Sequence, residues 1–334
     1  MTGAAGHAEG AMRPEGRKPV RALLTGLALA ALGATPASAC LPSDWVRHDG
    51  PVFRDKLFFG LYEAASDPHV FATDDGRLAM IYSGDDEDHS SIKLAFGTDW
   101  DSWEEWGVLL GPSQQPGAIA EKETAFYHRA SATDHRIYFI GYEDGATYRS
   151  DIYLARAEAL TGPWTILPEP VLRRGETDGH DVYLITSPSV VEWEGGLVMA
   201  YLGWNGLQNV TAVWSFAATS SPDGVAWEGV RQADVPIGME GQITARPDGG
   251  FVAVATREAA EGREGIFAAC ADTPLGPWTE MPEALLTLAG DAWEVDEIIA
   301  PSTTYDPETG DPYLFYTSAE HSKGWRVMLA RPAE

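Results

Sequence analysis

With 334 residues, 44% of them apolar, the chain can bury a large core. Its formal charge of −27 repels nucleic acid and anionic membrane surfaces, so neither is expected as a partner. No Gly-rich phosphate loop, Gly-x-Ser-x-Gly elbow or Cys/His cluster occurs, which sets aside nucleotide enzymes, serine hydrolases of that class and zinc enzymes.

The first segment reads as a leader. Arg13, Arg17, Lys18 and Arg21 precede an apolar run from Ala22 to Ala34, and Ala37-Ser38-Ala39 has the small residues of a cleavage site. This is the pattern of a secretory signal peptide over residues 1–39, too short in its apolar run to span a bilayer. An exported protein, periplasmic or secreted, is therefore expected, with residues 40–334 as a single domain. Cys40 directly follows the cleavage site. It is a position where a lipid could be attached, although Ala37 is a poor fit to the Leu usual three residues before a lipidated Cys. A lipid there would be the one expected link to a membrane. Cys270 lies in the apolar run Gly265 to Ala271 and reads as a buried free thiol; the two Cys permit at most one disulfide.

From Ser66 onward one phrase recurs, and its period decides the fold class. Asp67 to Ala72 reads as a strand, Asp74-Asp75-Gly76 as its turn and Arg77 to Tyr82 as the return. A third strand follows in each copy: Ile92–Gly97, Ile152–Ala157, Ala212–Thr219, Gly265–Ala271 and Trp325–Arg331. A turn and a Trp then open a fourth, as in Gly162-Pro163-Trp164, Val225-Ala226-Trp227 and Gly276-Pro277-Trp278, with Trp103 filling the slot in the first copy. The fifth copy ends after its third strand. Its missing fourth strand stands at the front, about Trp45 to Phe53. An all-β, five-bladed β-propeller, its ring closed by the N-terminal strand, explains this arrangement. Trp residues would wedge between blades, each burying on the order of 150–250 Å².

In such a ring the heads of the innermost strands converge on a central channel. Counting back from the second strands places Asp67, Glu123 or Thr124, Ser187, Glu240 and Ala300 at matching positions, with Pro68, Pro188 and Pro301 in the next column. Asp67 and Glu240 would face each other across the mouth. Glycoside hydrolysis needs two such carboxyls, one ionised and one with a raised pKa that gives its proton to the leaving oxygen. The Gly after Glu240 would permit a close approach of substrate or backbone.

Ser66-Asp67-Pro68-His69-Val70 and Met239-Glu240-Gly241, on a five-blade plan, resemble the family-43 glycoside hydrolases and their invertase and fructanase relatives. The resemblance implies Asp67 as base or nucleophile and Glu240 as general acid. It also implies a blade-three Asp that tunes the acid. That slot holds Ser187, so a replacement acid is expected, with Glu123 and Glu297 favoured and Asp181 and Asp296 as alternatives. A carboxylate beside Glu240 would raise its pKa by like-charge repulsion.

His69, two residues beyond Asp67 and so on the same strand face, is a further candidate for the mouth, with His128, Arg129, Asp181, Ser187, Trp204 and His321. No spacing among the His residues gives a metal signature, so no catalytic metal or cofactor is expected, though a structural cation in the channel is compatible. The resulting expectation is an exported glycosidase, monomeric, acting on oligo- or polysaccharide. The resemblance implies pentose-containing glycans such as arabinosides or xylosides, and inversion. A non-catalytic carbohydrate-binding propeller, or a phosphorylase or transferase on the same scaffold, are the alternatives; fold does not decide among them.

Overall fold

The computed structural model describes residues 40–333 except 58–61, 87–88, 113–118, 144–148, 176–180, 206–213, 233–237 and 260–262. Residues 1–39, including the expected leader, lie outside the described residues.

Five antiparallel sheets form the five blades. Blade one runs through Ser66–Ala72, Leu78–Asp86, His89–Gly97 and Trp103–Leu110. Blade two contains Ile119–Ser131, Asp134–Glu143, Asp151–Ala157 and Thr165–Ile166. Blade three contains Leu184–Trp193, Gly196–Trp204, Trp214–Ser221 and Glu228–Gln232. Blade four contains Met239–Ala245, Phe251–Glu258, Glu264–Ala271 and Thr279–Glu280, with Leu286–Thr287 also pairing to its third strand. Blade five has Glu297–Tyr305, Pro312–Glu320 and Gly324–Pro332.

The N-terminal segment completes blade five. Trp45–Arg47 lies antiparallel on Gly324–Pro332, with Trp45 opposite Pro332, and Phe53 bridges to Val327. Tyr62–Ala64 adds a short parallel strand to the same partner. Gly324 makes this possible: it has φ +98°, and a Cβ there would lie 1.9 Å from the Glu63 carbonyl oxygen.

The core is divided into five apolar clusters, one between each pair of neighbouring blades. Each contains the Trp at the fourth-strand opening of its second blade. Trp103 packs between blades five and one, Trp164 between one and two, Trp227 between two and three, and Trp278 between three and four. Between four and five the equivalent is Trp45, from the N-terminal segment. The last interface is thus built like the others, which is what a closed ring requires.

Buried charge pins the closure. Arg47 pairs with buried Glu294 at 2.8 Å, and the Tyr316 hydroxyl donates to the same carboxylate at 2.6 Å. Lys93 of blade one reaches buried Asp55 at 2.6 Å. Arg326 of blade five, 1% exposed, pairs with Glu63 at 3.1 Å, and Arg54 also meets that carboxylate. Cys40 and Cys270 form a disulfide, correcting the expectation of a free thiol at Cys270. Cys270 is on the third strand of blade four, and the segment preceding Trp45 folds back over that blade with Leu41 buried in the shared cluster. A lipid on Cys40 would need the same sulfur, so it is incompatible with this bond.

Replacing Glu63 should be costly, because it leaves the buried Arg326 guanidinium only the more distant Glu320 carboxylate, at 3.6 Å, as counter-charge. Glu63→Ala is expected to lose about 3–5 kcal/mol in denaturant unfolding. A loss below about 1 kcal/mol would show that the pair does not hold the closure.

Candidate active site

The five inner strands share one irregularity. Asp67, Thr124, Ser187, Glu240 and Ala300 have φ of 51°, 46°, 50°, 42° and 48°. Each strand slips its register there by one residue, between Ser66 and His69, Glu123 and Phe126, Thr186 and Ser189, Met239 and Gly241, and Ile299 and Ser302. A one-residue bulge in left-handed conformation is unfavourable for a residue that carries a Cβ, costing of order 1–3 kcal/mol. Neighbouring blades support it. Thr317 accepts the Asp67 N–H at 3.0 Å, Ser83 accepts that of Thr124 at 2.9 Å, and Thr124 accepts that of Ser187 at 3.3 Å. After Glu240, only glycine fits: a Cβ on Gly241 would lie 1.9 Å from the Val254 carbonyl oxygen. The close approach expected of this glycine is therefore one of backbone to backbone. In blade two the ring position is Thr124, which leaves Glu123 one residue above it.

The bulges form a neck of about 10 Å³, lined by Asp67, Thr124, Ser187 and Ala300 with Pro188, Gly241, Gln242 and Pro301. A cup of about 550 Å³ also contains Asp67, and with it Glu123, Glu240, Glu264 and Glu297. Thr186, Tyr142, Ser150 and Trp325 are among its other walls. Among the described residues no Lys or Arg lines it.

These acids acquire distinct characters. Burial pushes the Glu240 carboxyl up to about 8, and the negative fields of Asp67, Glu297, Glu123 and Glu264 add to the effect. Its Oε2 is shielded from solvent and has no hydrogen-bond partner among the described residues. Burial likewise raises Glu123 to about 7, reinforced by Asp67 and opposed by the Tyr142 hydroxyl, which donates to it at 2.8 Å. Asp67 is also raised by burial, but Ser83 and Ser66 hydroxyls counter this by donating to its carboxylate, Ser66 at 3.0 Å. Glu264 is raised by burial and accepts the Ile298 N–H at 3.1 Å. The cup therefore holds a Glu that keeps its proton near neutrality beside an Asp whose charged form is supported by hydroxyls.

All four candidate catalytic acids, Asp67, Glu240, Glu123 and Glu297, thus line one cup. His321 stands near Glu297, with Nε2 3.1 Å from its Oε1 and Nδ1 3.6 Å from Asp296. Ser187 lies in the neck, 8% exposed.

Five other candidates lie elsewhere. His69, His128 and Arg129 line a separate cavity of about 810 Å³, which shares none of the five cup acids. The expectation that His69 shares a face with Asp67 fails because the bulge between them breaks the two-residue alternation. His69 sits between Gln242 Oε1 (3.1 Å) and the Tyr127 carbonyl (3.3 Å), and burial lowers it to about 4, so it is neutral. Arg129 pairs with Asp74. Asp181 is fully buried, accepting the Tyr201 hydroxyl at 2.9 Å and the Gly175 N–H at 3.1 Å, and is not part of the cup wall. Trp204 packs edge-on to Tyr183 at 4.8 Å rather than lining the cup.

Glu264, Tyr142 and Trp325 were missed. Glu264 and Trp325 lie at the starts of third strands, and Tyr142 near the end of a second, whereas the ring alignment followed inner strands alone. A count of acids and aromatics at the matching ends of every strand would have found them.

Fold and site together define a five-bladed propeller with a carboxylate-lined cup on its axis. No family model matches the chain, and no curated protein matches it in sequence. Solved structures do match. A BT0996 RGII complex is 15% identical at a TM-score of 0.70, with 85% of this protein and 91% of that one covered. A glycoside hydrolase is 14% identical, again at 0.70 and with the same coverage. A GH43_1 enzyme from Xanthomonas citri, complexed with xylotriose, is 15% identical at 0.62, covering 86% of this protein and 90% of that one. The protein therefore shares its fold with family-43 glycoside hydrolases.

Glu240 makes a testable contribution to stability. Its folded pKa lies above the ordinary carboxylate value, so the unfolded polypeptide holds fewer protons between about pH 4.5 and about 8, and this group makes stability fall as pH rises through that window. Glu240→Gln should melt higher than the parent at pH 8, with the two converging towards pH 4.5. A parent-to-variant gap that does not change with pH would contradict the assignment.

Proposed function

We propose that this protein is an exported glycoside hydrolase acting on neutral, pentose-containing saccharides with inversion. The observation that carries the reading is Glu240, a carboxyl held protonated near neutrality in the same cup as Asp67. Glu240 is the general acid and gives its proton to the leaving glycosidic oxygen. Asp67, its carboxylate steadied by Ser66 and Ser83, is the base that takes a proton from the attacking water. Inversion requires the carboxyls to stand roughly 6.5–9.5 Å apart, with that water between them.

Glu123 serves as the third carboxylate in place of the Asp absent at Ser187. Its negative charge near Glu240 favours the protonated acid, and Tyr142 fixes its orientation. Trp325, half-buried in the cup wall, offers a face on which a sugar ring can stack. The family-43 structures on the same fold, one of them complexed with xylotriose, support the saccharide class and the choice of a pentose. The leader-like residues 1–39 and the disulfide support export, since disulfides persist in oxidising compartments.

A panel of aryl pentosides and plant polysaccharides tests the activity. Asp67→Asn and Glu240→Gln should each lower kcat by about 10²–10⁴-fold. Proton NMR of the first-formed sugar should show the anomer opposite to the substrate. Activity unchanged in both variants would remove the assignment.

The pH profile should be bell-shaped. Its acid limb follows ionisation of Asp67, and its alkaline limb, near pH 8, follows loss of the Glu240 proton. In Glu123→Gln the alkaline limb should move to lower pH. An unmoved limb would deny Glu123 its tuning role.

A further inference from the structure

The cup is one-sided in charge. Asp67, Glu123, Glu240, Glu264 and Glu297 line it, and among the described residues no Lys or Arg does. His321 beside it is already engaged by Asp296 and Glu297. Two acids suffice for acid/base hydrolysis, and a third suffices to tune one of them. Glu264 and Glu297 exceed that requirement.

We propose that the cup sorts saccharides by charge: it holds neutral sugar residues, draws in those bearing an ammonium group, and turns away those bearing a carboxylate or sulfate. This deepens the saccharide reading above and rests on it. The surplus acids Glu264 and Glu297 set the preference. Glu264 is anchored from blade four by the Ile298 N–H, and Glu297 opens the inner strand of blade five. A charge brought within several ångströms of either is subject to a field only partly screened by water in a half-enclosed recess. For an anionic sugar the mismatch also leaves its carboxylate without a basic partner, a second penalty of the same sign.

Three small polyols of similar shape test this without knowledge of the sugar's configuration. Tris(hydroxymethyl)aminomethane is a cation at neutral pH, pentaerythritol is uncharged and bis(hydroxymethyl)propionate is an anion. Binding is measured by calorimetry in an amine-free buffer at low salt, on the intact protein. The cation should bind about tenfold or more tighter than the neutral polyol, and the anion more weakly than either. Glu264→Gln with Glu297→Gln should shrink the first ratio several-fold, as should added salt. Glutamine at 264 retains an acceptor for the Ile298 N–H, and the two single variants provide the same readout if the double variant is unstable.

A cation that binds no tighter than the neutral polyol, whether both bind or neither does, overturns the proposal. So does an advantage untouched by the glutamine variants. Turnover of neutral and acidic glycosides alike would overturn the charge preference and leave the hydrolase standing. The predicted binding order without turnover of any glycoside would uphold the preference and remove the hydrolase.

Discussion

Everything in this molecule turns on a backbone constraint repeated five times. Each inner strand is bent at one residue into a left-handed conformation; four of these residues line one narrow neck, and the fifth, Glu240, lines the cup that shares Asp67 with it. The bends lift side chains out of the regular strand alternation and aim Asp67 and Glu240, from blades far apart in the sequence, at one volume. Non-glycine residues at such angles are unfavourable, and hydroxyls from adjacent blades help to hold them. The ring of blades therefore does more than support the cup: at blades one, two and three, the preceding blade helps to hold the bend.

The electrostatics follow from that geometry. Carboxyls forced together in a recess cannot all ionise, so the proton settles where burial is deepest and hydrogen bonding poorest. Glu240 meets both conditions, with an oxygen that no described group satisfies. Asp67 is equally enclosed but has two hydroxyls to support its charge. One acid retains its proton, while in its neighbour hydroxyls offset part of the upward push of burial, although the two belong to the same chemical class. Such an arrangement destabilises the fold locally, whereas the buried ion pairs of the closure, none of whose residues lines the cup, tie the N-terminal segment to blades five and one.

Much of this was legible in the sequence. The Trp that opens each fourth strand marks a blade interface, so its recurrence exposed the period, and the absence of a fifth such strand at the C-terminus pointed to Trp45. Matching strand heads located the ring correctly at Asp67, Ser187, Glu240 and Ala300. What the pattern could not convey was where a bulge would break the strand alternation. His69 was grouped with the acids because alternation was assumed to continue past Asp67, and His128 and Arg129 because they stand near an inner-strand end, whereas all three line a different cavity. Asp181 was read as a mouth residue but is sealed by Tyr201, a contact between residues 20 positions apart that propensity does not encode. The disulfide was illegible for a similar reason: it joins positions 230 apart, and an apolar run around Cys270 looks the same whether its sulfur is free or paired.

The borrowed strand has a bearing on biosynthesis. Trp45–Arg47 emerges from the ribosome long before its partner strand, which ends at Pro332. Until that partner is made, blade five stays unfinished. The wheel can lock only once Gly324–Pro332 is available, so ring closure comes late, after the other four sheets already have every strand they need.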